Sequence, residues 1–531
     1  MEHNFNFPFI FRGISFIGKI IFKILRFTGL WLFFILLFAL DKLTKSEIKE
    51  SPIIYNVVGW IVVISLFTLP LYILVNNIIR TVKSDPHFSL FKTIFLNKEK
   101  QAETGAGTKG MKNLAPRGFI FGKKKSLYVS KLENEDGHIS VMGGAGSGKS
   151  SCIAIPSLAS WRSTVFAIDI KGELSQKTTQ LREKKGHTVC VLDPTDDFSY
   201  GFDPFYLLKN SKNTIQDVKE ITQSIVPIKP DDKDPFWQES AQNVLSSVLL
   251  FGFENGFSFT QSIELFQSHS LPVLFQLFDE KASQNVKFFI NQLKDLKPET
   301  LSSIGQTLSN KIMVFVTDKD IISTLNRTKT LSPQNLENGE DIYIKIPEDK
   351  IEQWQSFLNI IVNSFLKSFE RRNELILKET PNPILFLLDE FPRLGKIPTI
   401  TNGLSTLRSK QITIALFMQS MAQLDLIYGK ETRQVIFDNC QYKAILKATD
   451  QDTQEYLSKL VGTYDKTKHS QNANFGAIVP TKKGIGTSKT TEEKRIIKSE
   501  EFGTLQDIVL LTPKGFERVN KCPYYQDRNF K

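Results

Sequence analysis

Residues 139–151 read Ile-Ser-Val-Met-Gly-Gly-Ala-Gly-Ser-Gly-Lys-Ser-Ser, and Gly143–Ser150 (GGAGSGKS) fits the pattern G-x-x-x-x-G-K-[ST] at every position. The apolar run Ile139–Met142 predicts a strand, and a helix is expected to follow. That context separates a phosphate-binding loop from a chance glycine-rich turn. Glycine lets backbone N–H groups curl around phosphate oxygens without a Cβ in the way. Gly143, Gly144, Ala145, Gly146, Ser147, Gly148 and Ser151 are therefore candidate nucleotide contacts. Lys149 supplies a point charge for the β- and γ-phosphates, and the Ser150 hydroxyl is suited to ligate Mg²⁺. The helix dipole adds to the attraction. Pro156 is expected to break or kink this helix early.

Ile384–Glu390 (ILFLLDE) is the second element. An apolar strand here delivers Asp389 to its carboxyl end, the edge at which ligands sit in open α/β sheets. Asp389 is expected to hold Mg²⁺ and Glu390 to polarise an attacking water, the signature of a hydrolase. A strand that merely ends in two acids is the bland alternative, and an LLDE string alone is a weak signal. Gln419 follows the strand Ile412–Phe417 and is placed to sense the γ-phosphate. Arg408 precedes that strand, outside the site of its own chain, and is a candidate arginine finger for a neighbouring subunit. A surface arginine and a strand-end glutamine in a loop are the plain readings of these two.

Outward from these motifs, seven short apolar runs predict strands: Ile139–Met142, Thr164–Ile170, Thr188–Asp193, Ile342–Ile346, Ile384–Asp389, Ile412–Phe417 and Lys443–Lys447. Several lack alternation, as parallel strands buried on both faces do. Helical patterns between them predict an α/β, doubly wound sheet. Nearly 150 residues separate the third run from the fourth, and their periodicity is helical, so residues 205–310 are expected to form an inserted all-α domain. Residues 464–494, rich in Lys, Thr, Gly and Ser, read as a mobile loop.

The first quarter of the chain differs in character. Ile53–Val75 holds 23 residues without a charge, and Ile20–Leu40 is apolar apart from Lys23 and Arg26 near one end. About 20 apolar residues span a bilayer. Residues 1–80 are therefore expected to be an anchor with two transmembrane helices, at about 20–40 and 53–75, followed by a linker over 81–137. A cleaved signal peptide is the alternative for the first run, but charged residues, not a small-residue cleavage site, follow Leu40. Of the net charge of +11, residues 1–140 carry 19 Lys/Arg against 10 Asp/Glu, and the rest of the chain is nearly balanced. The basic flanks place both ends on the cytoplasmic side. The excess then faces anionic lipid rather than nucleic acid. A composition of 41% hydrophobic and 23% charged residues excludes global disorder, and four scattered cysteines exclude a disulfide scaffold.

Several strings taken together resemble the type IV secretion system coupling proteins, the TraG/TraD-type conjugative DNA transfer ATPases. They are GGAGSGKSS at 143–151, AIDIKGEL at 167–174, DPFWQESAQNVL at 234–245, LLDEFPRLGKI at 387–397 and GLSTLRSKQITIALFMQS at 403–420. The resemblance implies a RecA-like motor over 138–204 and 311–531, with the inserted helical domain facing the substrate. It implies ATP and Mg²⁺ as cofactors, a bacterial inner-membrane location and a homohexamer. Partners would be the secretion channel components and a relaxase–DNA complex, protein effectors, or both. By position, Arg408 matches the family's trans-acting arginine and Gln419 its γ-phosphate sensor. Asp169, Lys171, Gly172 and Glu173 match a family segment whose chemistry the sequence leaves open. No long acidic run follows the motor, of the kind that recruits cargo in some members. Two other readings stand beside the motor: a docking receptor that hydrolyses little, and a chromosome-segregation type DNA translocase.

Overall fold

In the computed structural model, residues 106–530 are described, apart from 229–231, 233, 373–380 and 473–485. The described residues belong to one compact unit, Glu103–Lys531. Both expected spans, 20–40 and 53–75, and the first part of the linker lie outside the described residues. Among the described residues, no helix is long and apolar enough to cross a membrane.

Runs of Val, Ile, Leu and Phe assemble one nine-stranded sheet. In chain order its strands are β1 (Ile139–Gly143), β2 (Thr164–Ile170), β3 (Thr188–Leu192), β4 (Glu340–Ile346), β5 (Ile384–Leu388), β6 (Ile412–Met418), β7 (Tyr442–Lys447), β8 (Ile508–Thr512) and β9 (Gly515–Val519). Across the sheet they run 9-8-7-1-6-5-2-4-3. The strands from β7 to β3 in that order are all parallel, and they are the seven anticipated runs. The hairpin β8–β9 is antiparallel and closes the edge beyond β7.

Every residue of β1, β2, β5 and β6 is buried, which explains why these runs do not alternate. Alternate residues serve two separate cores. Phe166, Ile168, Phe386, Leu388, Ile414 and Leu416 face the larger one. Val165, Ala167, Leu385, Leu387, Ala415 and Phe417 face the smaller one, with the helix that follows β1. In the larger core the Phe166 ring lies 4.9 Å from that of Phe365 and 4.8 Å from that of Phe386.

Between β3 and β4 the chain is largely helical, with its longest helix at Phe236–Glu254. Its apolar side chains, among them Val244, Leu249 and Phe278, belong to the same core as β2 and β5. Helix Pro298–Ile312 runs through residue 310, and helices continue to Glu337, so the helical stretch extends beyond the expected 205–310. Sharp starts come from side-chain caps: Ser258 and Gln261 form a reciprocal capping box, and Asp318 accepts from the N–H groups of Asp320 and Ile321.

A buried ion pair ties the layers together. Arg182, on helix Glu173–Glu183, grips the Asp341 carboxylate of β4 at 2.7 and 2.8 Å, and both side chains are fully buried. Asp341 also accepts the Val165 N–H of β2 at 3.0 Å. The Arg182 fork reaches the carbonyls of Leu158, Trp161 and Ser163 as well, so no donor is stranded.

Within residues 464–494, whose composition reads as a mobile loop, the described parts are paired strands. Thr463–Asn472 and Gly486–Arg495 pair as an antiparallel ribbon, and only the connection at 473–485 lies outside the described residues.

Candidate nucleotide site

Strand order decides which side chains meet. β1, β6 and β5 are consecutive in the sheet and parallel, so their carboxyl ends emerge side by side. The glycine loop leaves β1, Gln419 leaves β6, and Asp389 and Glu390 leave β5.

Within the loop, Gly146 and Gly148 have φ of +68° and +99°, left-handed values that strain any residue with a Cβ. A Cβ at Gly148 would also lie 2.9 Å from the Cys152 Sγ. The helix starts at Lys149. Its first turns are wound as a π-helix over Lys149–Ala154, with an α-helix over Ile155–Ser160. Pro156 does not break it. The change of winding places the proline in the first turn of the α segment, where an absent N–H costs little.

Lys149 is buried, and its ammonium turns back to donate to the Gly143 carbonyl at 2.7 Å. It also pairs with Glu390 Oε1 at 3.3 Å. The other Glu390 oxygen accepts from Gln419 Nε2 at 3.1 Å. Three of the expected residues thus form one chain, Lys149–Glu390–Gln419. Glu390 is held at φ +45°, a conformation that costs a non-glycine residue about 1–3 kcal/mol and persists only where the surroundings impose it.

Asp389 is 7% exposed. Burial, and next the Glu390 carboxylate, push its carboxyl up to about 7, against the pull of Lys149.

Asp169, at the end of β2, caps a helix. Its carboxylate accepts the N–H groups of Leu174 at 3.0 Å and Ser175 at 2.8 Å, and the Ser175 hydroxyl at 2.6 Å. Lys171 and Gly172, both at positive φ, make the turn into that helix. Arg408 is elsewhere. It is exposed and precedes β6 on the amino side, and β6 runs parallel to β1 with Met418 opposite Met142. Seven residues of strand separate it from Gln419, roughly 20 Å.

The residues present fit a nucleoside triphosphate with Mg²⁺. The Ser147 hydroxyl is buried without a hydrogen-bond partner, and a Cβ at Gly146 would meet nothing within 4 Å, so the loop opens onto free space. Among the described residues, no cluster of three or more His, Cys, Asp or Glu could cage a metal alone. Mg²⁺ does not need one, since it commonly takes one or two carboxylates and completes its shell with phosphate and water. One neighbour is not visible in the sequence: Thr449, beyond β7, lies against Gly144, where a Cβ would touch its methyl at 3.4 Å.

A strand, a glycine loop and a helix, with an acid pair two strands away, is the arrangement of P-loop α/β proteins. The model of the type IV secretory system conjugative DNA transfer family matches residues 97–531, and the chain belongs to that family. It is 22% identical over 430 residues to the protein VirD4 of Rhizobium radiobacter, covering 78% of this chain and 61% of VirD4. It is 24% identical over 378 residues to the conjugal transfer protein TraG of Rhizobium radiobacter, covering 67% of this chain and 56% of TraG. The chain thus spans about three fifths of the length of these curated relatives. The fold is shared with the plasmid coupling protein TrwB. The form in complex with ADP and Mg²⁺ superposes with a TM-score of 0.60 at 18% identity, over 79% of this chain and 92% of that one.

Proposed function

We propose that this protein is the membrane-anchored, ATP-hydrolysing coupling protein of a type IV secretion or conjugation system. The observation that carries the proposal is the hydrogen-bonded chain Lys149–Glu390–Gln419 at the mouth of the glycine loop. In this reading the loop amides and Lys149 hold the phosphates, and Ser150 and Asp389 hold Mg²⁺. Lys149 is then drawn off Glu390, which is freed to orient the attacking water while Gln419 registers the γ-phosphate. Bound Mg²⁺ neutralises charge that develops on the phosphates. TrwB has been solved with ADP and Mg²⁺ and with a non-hydrolysable ATP analogue, which supports the same choice of ligand here.

Arg408 lies at the other edge of the sheet, so it serves a nucleotide only on an adjoining subunit; a homohexamer supplies that neighbour. The anchor at 1–80 holds the motor at the bacterial inner membrane with both termini cytoplasmic, as the apolar runs and their basic flanks suggest. Cargo, a relaxase–DNA complex or protein effectors, passes from it to the channel components.

The test is ATP turnover by the full-length protein together with transfer between cells. Lys149→Ala is expected to abolish both. Normal transfer by a stably expressed Lys149→Ala protein would defeat the motor reading.

A further inference from the structure

The chain leaves β9 at the edge where the glycine loop lies. Val519 pairs with Ile508, and Val509 with Ile445, which in turn lies opposite Met142. The end of β9 is therefore level with the end of β1. From there residues 520–526 turn over the loop helix. The Tyr524–Gln526 turn packs on the Lys149–Ala154 segment, and Tyr524 packs against the core cluster that holds Cys152 and Ile153. Cys152 is the third residue after Lys149.

This segment is firmly held. Asn520 exchanges two backbone hydrogen bonds with Lys123, at 2.7 and 2.9 Å. Asp527 is buried and gathers the Tyr128 hydroxyl at 2.5 Å, the Lys123 ammonium at 2.6 Å and the Cys522 thiol at 3.4 Å. Phe530 stands edge-on to Tyr128, 6.1 Å between centroids. Against this anchorage one side chain stands out. Tyr525 is 53% exposed, with its ring edge-on to Tyr524 at 5.4 Å. A firmly held backbone thus carries a half-exposed aromatic on the turn that packs against the Lys149–Ala154 segment.

That is the direction a nucleoside takes. With the β- and γ-phosphates on the loop, the α-phosphate meets the first helical turn and the ribose and base extend past it. None of the loop residues offers a flat apolar surface. We propose that residues 521–526 form the nucleoside wall of the site, with Tyr525 as the platform for the base and Lys521 facing the ribose and α-phosphate. The inference rests on the phosphate site proposed for the loop and adds to it the part that tells ATP from bare triphosphate. Stacking on a tyrosine accepts any base face, so the wall raises affinity for nucleosides in general and leaves purine choice to edge contacts.

The experiment is calorimetric titration of the full-length protein with Mg²⁺-ATP and, separately, with Mg²⁺-tripolyphosphate. The native chain is expected to prefer ATP. Tyr525→Ala is expected to weaken ATP about tenfold and to leave tripolyphosphate unchanged, and Tyr525→Phe to restore the preference. Lys521→Ala is expected to weaken ATP by a smaller factor. An unaltered ratio of the two affinities in both alanine variants would overturn the nucleoside wall while leaving the phosphate site standing. A native chain that binds neither ligand would overturn both.

Discussion

The two edges of the central sheet are made from similar strands and hold opposite kinds of polar group. At the carboxyl edge, Lys149, Asp389, Glu390 and Gln419 converge with a non-glycine residue held in the left-handed region. At the amino edge, Lys131 and His138 are both fully buried. Lys131 donates to the Thr413 hydroxyl at 2.9 Å, and the His138 Nδ1 accepts the Ile414 N–H at 3.0 Å. Burial drives the Lys131 ammonium down to about 8 and the His138 imidazole down to about 3, and for His138 the nearby cations Lys131 and Arg408 add to the effect. One edge keeps opposed charges close together, ready to be rearranged by a ligand. The other keeps an imidazole neutral, so that it can accept a backbone N–H, and leaves its ammonium to a neutral hydroxyl. Perturbed titration alone therefore does not mark a functional site; the convergence of several strand ends does.

The sharpest way to break this contrast is Glu390→Gln. It should lower ATP turnover by about 10²- to 10⁴-fold while nucleotide binding and thermal stability persist, as read by phosphate release and calorimetry. Substitutions midway between the edges should behave in the opposite sense. Phe166→Ala, in the stacked core under β2 and β5, should cost about 3–5 kcal/mol in denaturant unfolding and shift turnover only through loss of folded protein.

At the amino edge the effect should depend on pH. His138 is harder to protonate when folded than when unfolded, so its contribution is intact above about pH 6.5 and is lost as pH falls toward 3. Between pH 6.5 and 5 that amounts to about 2 kcal/mol of unfolding free energy at most, by the usual 1.4 kcal/mol per unit. His138→Gln, which keeps an acceptor for Ile414, should flatten this acid dependence and leave turnover at pH 8 unchanged. The smallest effect is expected in the helical stretch between β3 and β4. Ser258→Ala should remove a capping bond and cost about 1 kcal/mol, measured by thermal unfolding, with no change in nucleotide affinity.

The difference between the edges also explains how much is legible in the sequence. The seven parallel strands are local apolar runs, and the loop glycines announce a turn that needs positive φ, so both are visible in a single chain of letters. Gln419 and the acid pair follow because strand ends emerge together in a parallel sheet. The hairpin β8–β9 is not visible: Gly515–Val519 reads GFERV, charged and only partly buried, and becomes a strand through pairing with β8. The ribbon of 463–472 and 486–495 is hidden for a related reason, since a composition rich in Lys, Thr, Gly and Ser reads as a loop and the pairing itself is not local. Asp169 resembles a chemical group because the sequence shows the carboxylate but not the helix amides that occupy it. Lys521–Gln526 carry no motif, and only the register of β9 brings them to the loop.

Arg182 illustrates a different kind of constraint. Its planar fork bonds at once to a strand carboxylate and to the carbonyls where the loop helix ends and β2 begins. Lysine would bring the same charge but only three donors radiating from one point, too few and wrongly aimed to serve partners spread around a plane. The position should thus reject even its closest chemical substitute, and an Arg182→Lys protein would be expected to lose the seam between phosphate loop and sheet before it lost either part.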